Sequence, residues 1–128
     1  MQITKFLCLI ILIIPLISCS NNKINKSQIK EKDLESQVLE AYEEGLKSLK
    51  DGDVIFASKK FNEAETLFPQ SKWAPKSSLM AAYSYYSQDY YEDSILELER
   101  FLEIYPFHEN IDYAYYLLGL CWYEQIID

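Results

Sequence analysis

The sequence predicts an all-α fold, a solenoid of stacked helix-turn-helix units amounting to about two and a half repeats. Three observations carry this. Beyond Asp33 the apolar residues recur at helical spacing throughout. The chain matches itself at an offset of 37 residues, Gly45 falling on Ala82 and then Gly119, Leu46 on Tyr83 and Leu120, and Tyr42 on Leu79 and Tyr116. The second helix of each pair matches in the same register, with Ala57 on Ser94 and Phe61 on Leu98, and each closes on a proline, Pro69 and Pro106.

The elements follow in order. A first helix carries Val38, Leu39, Tyr42, Leu46 and Leu49 on one face and is broken by Asp51-Gly52-Asp53. A second runs from about Val54 to Phe68, with Ala57, Phe61, Ala64 and Phe68 on its inner stripe. A loop through Lys72-Trp73-Ala74-Pro75 leads to a third helix over about Lys76 to Ser87, with Leu79, Ala82, Tyr83 and Tyr86 inward, and Gln88-Asp89 turns the chain. The fourth, about Tyr91 to Tyr105, turns Ile95, Leu98, Phe101 and Leu102 inward. The fifth starts near Asp112 as N-cap and runs through Tyr116, Gly119, Leu120 and Tyr123. The resulting repeats are 34–70, 71–107 and a third that holds only its first helix, 108–128.

Helix-turn-helix units with small residues and a closing proline at these spacings match the tetratricopeptide pattern, whose period is about 34 residues. The three extra residues are expected in the inter-repeat loop around Trp73. Gly45, Ala82 and Gly119 would let the first helix of each pair approach its neighbour closely, and Ala57 and Ser94 would do the same on the second helix. No pair can bury its stripe alone, so pairs stack.

The N-terminus has a different character. Lys5 precedes an apolar run from Phe6 to Ile17, which ends at Leu16-Ile17-Ser18-Cys19. As a helix that run is about 18 Å long, against a hydrocarbon core of about 30 Å, so it reads as a secretory signal over 1–18 and not a membrane span. A cysteine at the cut resembles the lipobox of bacterial lipoproteins. That resemblance implies fatty acylation of Cys19, and several acyl chains hold a protein firmly where one does not. Ser20 follows, not an aspartate, and by the same resemblance the address is the outer membrane. Residues 19–33 are polar and aperiodic and read as a lipidated flexible tether.

Composition narrows the function. The chain of 128 residues carries a net charge of −8, or −9 once Lys5 is cut away, which disfavours nucleic acid. Three cysteines give no disulfide: Cys8 leaves with the signal, Cys19 carries lipid, and Cys121 sits in an apolar run as a buried thiol. His108, the single histidine, lies in a loop. No HExxH, CxxC, GxSxG or phosphate-binding glycine loop occurs. Paired acids such as Glu43-Glu44 and Glu97-Glu99 read as solvated helix faces. The expectation is a binding protein, not an enzyme, with no cofactor and no metal. Its working surface would be the concave groove lined by the first helices. Leu39, Tyr42, Leu46, Leu49 and Lys50, then Lys76, Leu79, Tyr83 and Tyr86, then Tyr113, Tyr116, Leu120 and Tyr123 fall there. Tyrosine offers large contact area at low entropic cost, which suits an extended peptide.

Three stretches, Tyr42-Glu43-Glu44-Gly45-Leu46, Ser71 through Tyr86, and Ile111 through Leu120 with its Asp-Tyr-Ala-Tyr-Tyr block, resemble the BamD family, formerly described as competence lipoproteins. The resemblance runs end to end and includes the inter-repeat segments. It implies a non-enzymatic lipoprotein at the periplasmic face of the outer membrane, binding a BamA-like barrel protein and other machinery lipoproteins and helping to select unfolded outer-membrane proteins. A generic periplasmic tetratricopeptide adaptor for envelope or cell-division proteins is the alternative. The resemblance also implies five repeats. Ending at Asp128, inside the third, the chain is expected to be a truncated product lacking the half that would hold BamA. Its last helix is expected to expose apolar surface at Leu117 and Leu118.

Overall fold

The computed structural model describes the backbone of residues 24–127 and the side chains of residues 33–126. The chain divides into two units, Met1–Glu31 and Lys32–Asp128. Of the first, only the helical residues 24–31 fall in the described range; all packing considered below belongs to the second. The signal segment 1–18 and Cys19 lie outside the described residues.

All regular structure among the described residues is helical: α1 (Ile24–Lys50), α2 (Val54–Leu67), α3 (Trp73–Tyr86), α4 (Tyr91–Ile104) and α5 (Ile111–Ile127). Odd-numbered helices are the first, or A, members of successive pairs, and α2 and α4 are the B members. None is long and apolar enough to cross a membrane.

The repeat of 37 is written into the backbone. Gly52 donates its N–H to the Leu49 carbonyl and Asp53 to the Ser48 carbonyl; one period later Asp89 donates to Tyr86 and Tyr90 to Tyr85. Gly52 and Asp89 both have positive φ, +84° and +65°. Glycine adopts that conformation without penalty, whereas Asp89 is one of the few residue types that tolerate it. The connections between pairs correspond as well: Ser71 bonds to Phe68 and Ala74 to Ser71, as His108 does to Tyr105 and Ile111 to His108.

Three expectations about the elements need correction. Residues 24–33, expected as part of a flexible tether, are helical. Lysine, glutamate and glutamine there favour helix, and propagation from a packed stretch adds a bond per residue without a new nucleus. The third helix starts at Trp73, before the expected Lys76. Pro75 falls in its first turn, where a missing N–H costs nothing. Asp112 is not the cap of the fifth helix but lies within its first turn; the Asn110 carbonyl accepts the first bond, from Ala114. Asp53 does cap α2, accepting from the Phe56 N–H at 3.1 Å.

Two apolar clusters hold the stack. One gathers Val38, Ala41, Tyr42, Ala57, Phe61, Ala64 and Ala81. The other gathers Leu79, Ala82, Ile95, Leu98, Phe101, Ala114, Leu117 and Cys121. The contact of A with B is tight where the sequence has small residues. A Cβ built on Gly45 would stand 2.8 Å from Phe61 Cε1, inside van der Waals contact. Ala82 is wholly buried. Its carbonyl accepts a bond from Ser94 Oγ at 3.0 Å, so the serine that replaces Ala57 one period later is satisfied by the helix it packs on. Gly119 differs: nothing lies within 4 Å of the Cβ position. The seam is therefore closed at 45 and 82 and open at 119, among the described residues. Leu117 is buried and Leu118 half-buried against the second cluster, so the exposed face expected there falls instead on Tyr115, Tyr116, Trp122, Tyr123 and Ile126.

A polar tie joins the pairs. Arg100 on α4 donates to both carboxylate oxygens of Glu65 on α2, at 3.0 and 2.7 Å. It also reaches Glu97 at 2.8 Å, Asn62 Oδ1 at 3.2 Å and Ser78 Oγ on α3 at 3.1 Å. The Tyr105 hydroxyl donates to Glu65 at 2.8 Å. Hydrogen bonds to Glu65 and then to Glu97 hold the Arg100 guanidinium more firmly charged than usual. Glu97 is thus no solvated acid: its side chain is only 17% exposed.

Three outcomes follow in urea denaturation of the full chain. Gly45→Ala costs about 1–2 kcal/mol, because overpacking Phe61 outweighs the gain in helix propensity, whereas Gly119→Ala stabilises by up to about 1 kcal/mol. Arg100→Ala costs about 1–3 kcal/mol by leaving the nearly buried Glu65 without its cation.

Candidate functional site

The A-helix face holds two adjoining depressions with Tyr83 as their shared wall. One, of about 450 Å3, lies where α1 and α3 end and is lined by Leu46, Leu49, Lys50, Gly52, Tyr83, Ser87 and Gln88. The other, of about 410 Å3, lies between the first halves of α3 and α5 and is lined by Lys76, Leu79, Met80, Tyr83, Asn110 and Tyr113. The helical period explains the alignment: Lys76, Leu79, Met80 and Tyr83 are spaced three and four apart and share one face of α3.

Of the thirteen residues expected to line a groove, Leu46, Leu49, Lys50, Lys76, Leu79, Tyr83 and Tyr113 line these depressions, and Leu39 and Leu120 line neither. Tyr42 does not. It is buried at 5% exposure, its ring 5.2 Å from Phe61 and 5.1 Å from Trp73. Two aromatic neighbours on elements packed against α1 make it core, and burial pushes its phenol pKa up. Tyr86 is half-buried against the core and tilts onto Tyr91 at 6.0 Å. Tyr116 and Tyr123 are exposed but line neither depression. Met80, Gly52, Asn110, Ser87 and Gln88 are lining residues that sequence reasoning missed. Met80 could have been found from its place beside Leu79 on the same helical face; the three polar residues sit at turns and carry no periodic signal.

The electrostatics favour a neutral, hydrogen-bonding surface with localised cations. Burial, and then the proximity of Tyr83, Tyr86 and Tyr116, raises the Tyr113 pKa above its ordinary value. Tyr86 is raised by burial first and by Glu124 next. Both therefore stay protonated well past neutral pH and act as donors. Lys76 Nζ stands 4.9 Å from the Trp73 ring centroid and 5.2 Å from that of Tyr42, a cation held over two aromatic faces.

His108 packs edge-on against Phe101 at 5.7 Å and accepts the Asn110 N–H at Nδ1, which is a loop-shaping role. The Cys121 thiol is fully buried, and burial pushes its pKa up, away from the reactive thiolate. No group of three potential metal ligands occurs among the described residues.

Comparison with known proteins places the chain. A family model, YfiO, described as "Outer membrane lipoprotein", matches residues 34–128. Three proteins named outer membrane protein assembly factor BamD are similar to it. That of Caulobacter vibrioides is 36% identical over 87 residues, 68% of this chain and 28% of the relative. That of Neisseria gonorrhoeae is 36% identical over 84 residues, 66% and 32%. That of Rickettsia prowazekii is 30% identical over 103 residues, 80% and 41%. The chain thus spans between 28% and 41% of the length of these relatives. With the family model covering all four interhelical connections and the stacked pairs behind it, the chain belongs to the YfiO/BamD family of outer-membrane lipoproteins.

Proposed function

We propose that this chain is a non-enzymatic, lipid-anchored scaffold of outer-membrane protein assembly, which holds segments of unfolded outer-membrane proteins on its A-helix face. The observation that carries the reading is the pair of depressions on either side of Tyr83. They are open and share Tyr83, with Tyr113 in the second, and their walls are built from three A helices, so an extended segment lying across the helices meets both. Rigid tyrosine walls bind a polypeptide with little loss of side-chain freedom. The family's description as outer-membrane lipoproteins and the assembly-factor names of the relatives supply the setting. They favour it over a generic periplasmic adaptor. Cys19 would carry the acyl groups and hold the helices at the periplasmic face. A BamA-like barrel protein and the other machinery lipoproteins are the partners this role requires.

Two tests follow. Cys19→Ser should leave the protein unprocessed or move it to the soluble periplasmic fraction; unchanged outer-membrane fractionation would overturn the anchor. Tyr83→Ala should weaken binding of a peptide copied from the C-terminal strand of an outer-membrane barrel by about fivefold or more with helicity intact, whereas Tyr116→Ala should change it far less. Equal effects at the two positions, or none, count against the Tyr83 site.

A further inference from the structure

The distribution of charge around the two depressions is unlike that of the rest of the molecule. The chain has 20 acidic residues against 12 basic ones. Other surface depressions reflect that ratio: one is lined by Glu40, Glu44 and Glu63 with Lys60, another by Glu65 with Arg100. The two that meet at Tyr83 have a single charged lining residue each, Lys50 in one and Lys76 in the other. Asp51, Asp53 and Asp112 neighbour these linings in sequence but belong to neither.

Lys50 alone would be unremarked, since it stands in the last turn of α1, where the helix dipole favours a cation. Lys76 stands in the opposite situation. It occupies the first turn of α3, which starts at Trp73, and there the dipole disfavours positive charge. It forms none of the ion pairs among the described residues. What holds it is the pair of rings of Tyr42 and Trp73, which fix the ammonium but leave its hydrogen-bond donors without an anion. A fixed cation at the edge of an apolar depression fits an anionic group whose neighbour is apolar.

We infer that the occupant of this face is an extended polypeptide segment carrying carboxylates beside an aromatic side chain, with the carboxylates on Lys50 and Lys76 and the aromatic against Tyr83. This rests on the peptide-holding role proposed above and specifies the chemistry of the peptide. The net negative charge of the chain repels any acidic ligand at long range, so salt dependence does not isolate the local effect; paired substitutions do.

The test uses the full chain in detergent and three short, end-blocked peptides identical but for Glu, Gln or Lys flanking a central Phe. The Glu peptide should bind about fivefold tighter than the Gln peptide, the worth of two exposed ion pairs, and tighter still than the Lys peptide. Lys76→Gln and Lys50→Gln should each shrink that preference, and Lys59→Gln, an exposed lysine elsewhere on α2, should not. Circular dichroism checks that each variant keeps its helicity. Equal binding of all three peptides, abolished by Tyr83→Ala, would overturn the charge preference and leave the peptide groove standing. Binding of no peptide, or binding indifferent to Tyr83→Ala, would remove the groove itself and the inference with it. Capture of phosphatidylglycerol vesicles in place of the Glu peptide, lost in both lysine variants, would also overturn it.

Discussion

The structure depends on how closely the two helices of a pair approach. At Gly45 the aromatic ring of Phe61 fills the space a side chain would take, and at Ala82 the backbones are near enough for Ser94 to bond across to a carbonyl. That distance sets the rest. It lets Phe61 and Leu98 bury completely, and it closes the turns at Gly52 and Asp89 into one geometry. It also leaves the opposite face of each A helix free of its own partner. The depressions beside Tyr83 lie on that free face. The depressions and the core are thus two sides of the same helices, assigned by which side the small residues occupy.

The second constraint is polar. Apolar packing is non-directional and by itself lets stacked pairs rotate against one another. Arg100 presents its donors in a rigid plane, and they reach Glu65 and Asn62 from the preceding pair, Ser78 from α3 and Glu97 from its own helix. A planar group satisfied from three helices fixes their relative register in a way that oily contacts do not. With the register fixed, the spacing between Lys50 on α1 and Lys76 on α3 is fixed too.

Most of the fold was legible in the residues. Positions 45, 82, 57, 61 and 98 repeat at one period and behave as their sizes dictate, and the two closing prolines mark where each B helix must end. The parts that escaped are those periodicity cannot carry. Arg100 has Glu63 as its counterpart one period earlier, and Glu65 has Leu102 one period later, so the tie between them breaks the repeat and resembles ordinary surface charge. Tyr42 looked like a groove residue because its successors Leu79 and Tyr116 share its register. Its actual place is decided by Trp73, which begins α3 and packs its ring against Tyr42, whereas Pro75 two residues on reads as loop. The candidate site was legible in part. Tyrosine content and helical phase pointed to Tyr83 and Tyr113, while Ser87, Gln88 and Asn110 come from turns whose fold had to be seen.

The matching of backbone hydrogen bonds one period apart has a consequence for how such a chain tolerates change in length. Each pair touches only its neighbours, and each junction is built from the same short list of bonds. Insertion of a whole 37-residue unit would therefore extend the array while leaving every existing junction in phase. An insertion of a few residues inside a helix would rotate everything downstream of it by a fraction of a turn, turning tyrosine walls inward and alanine seams outward. Length in this architecture is quantised, and the indels it can absorb are those that fall at the turns or come as complete modules.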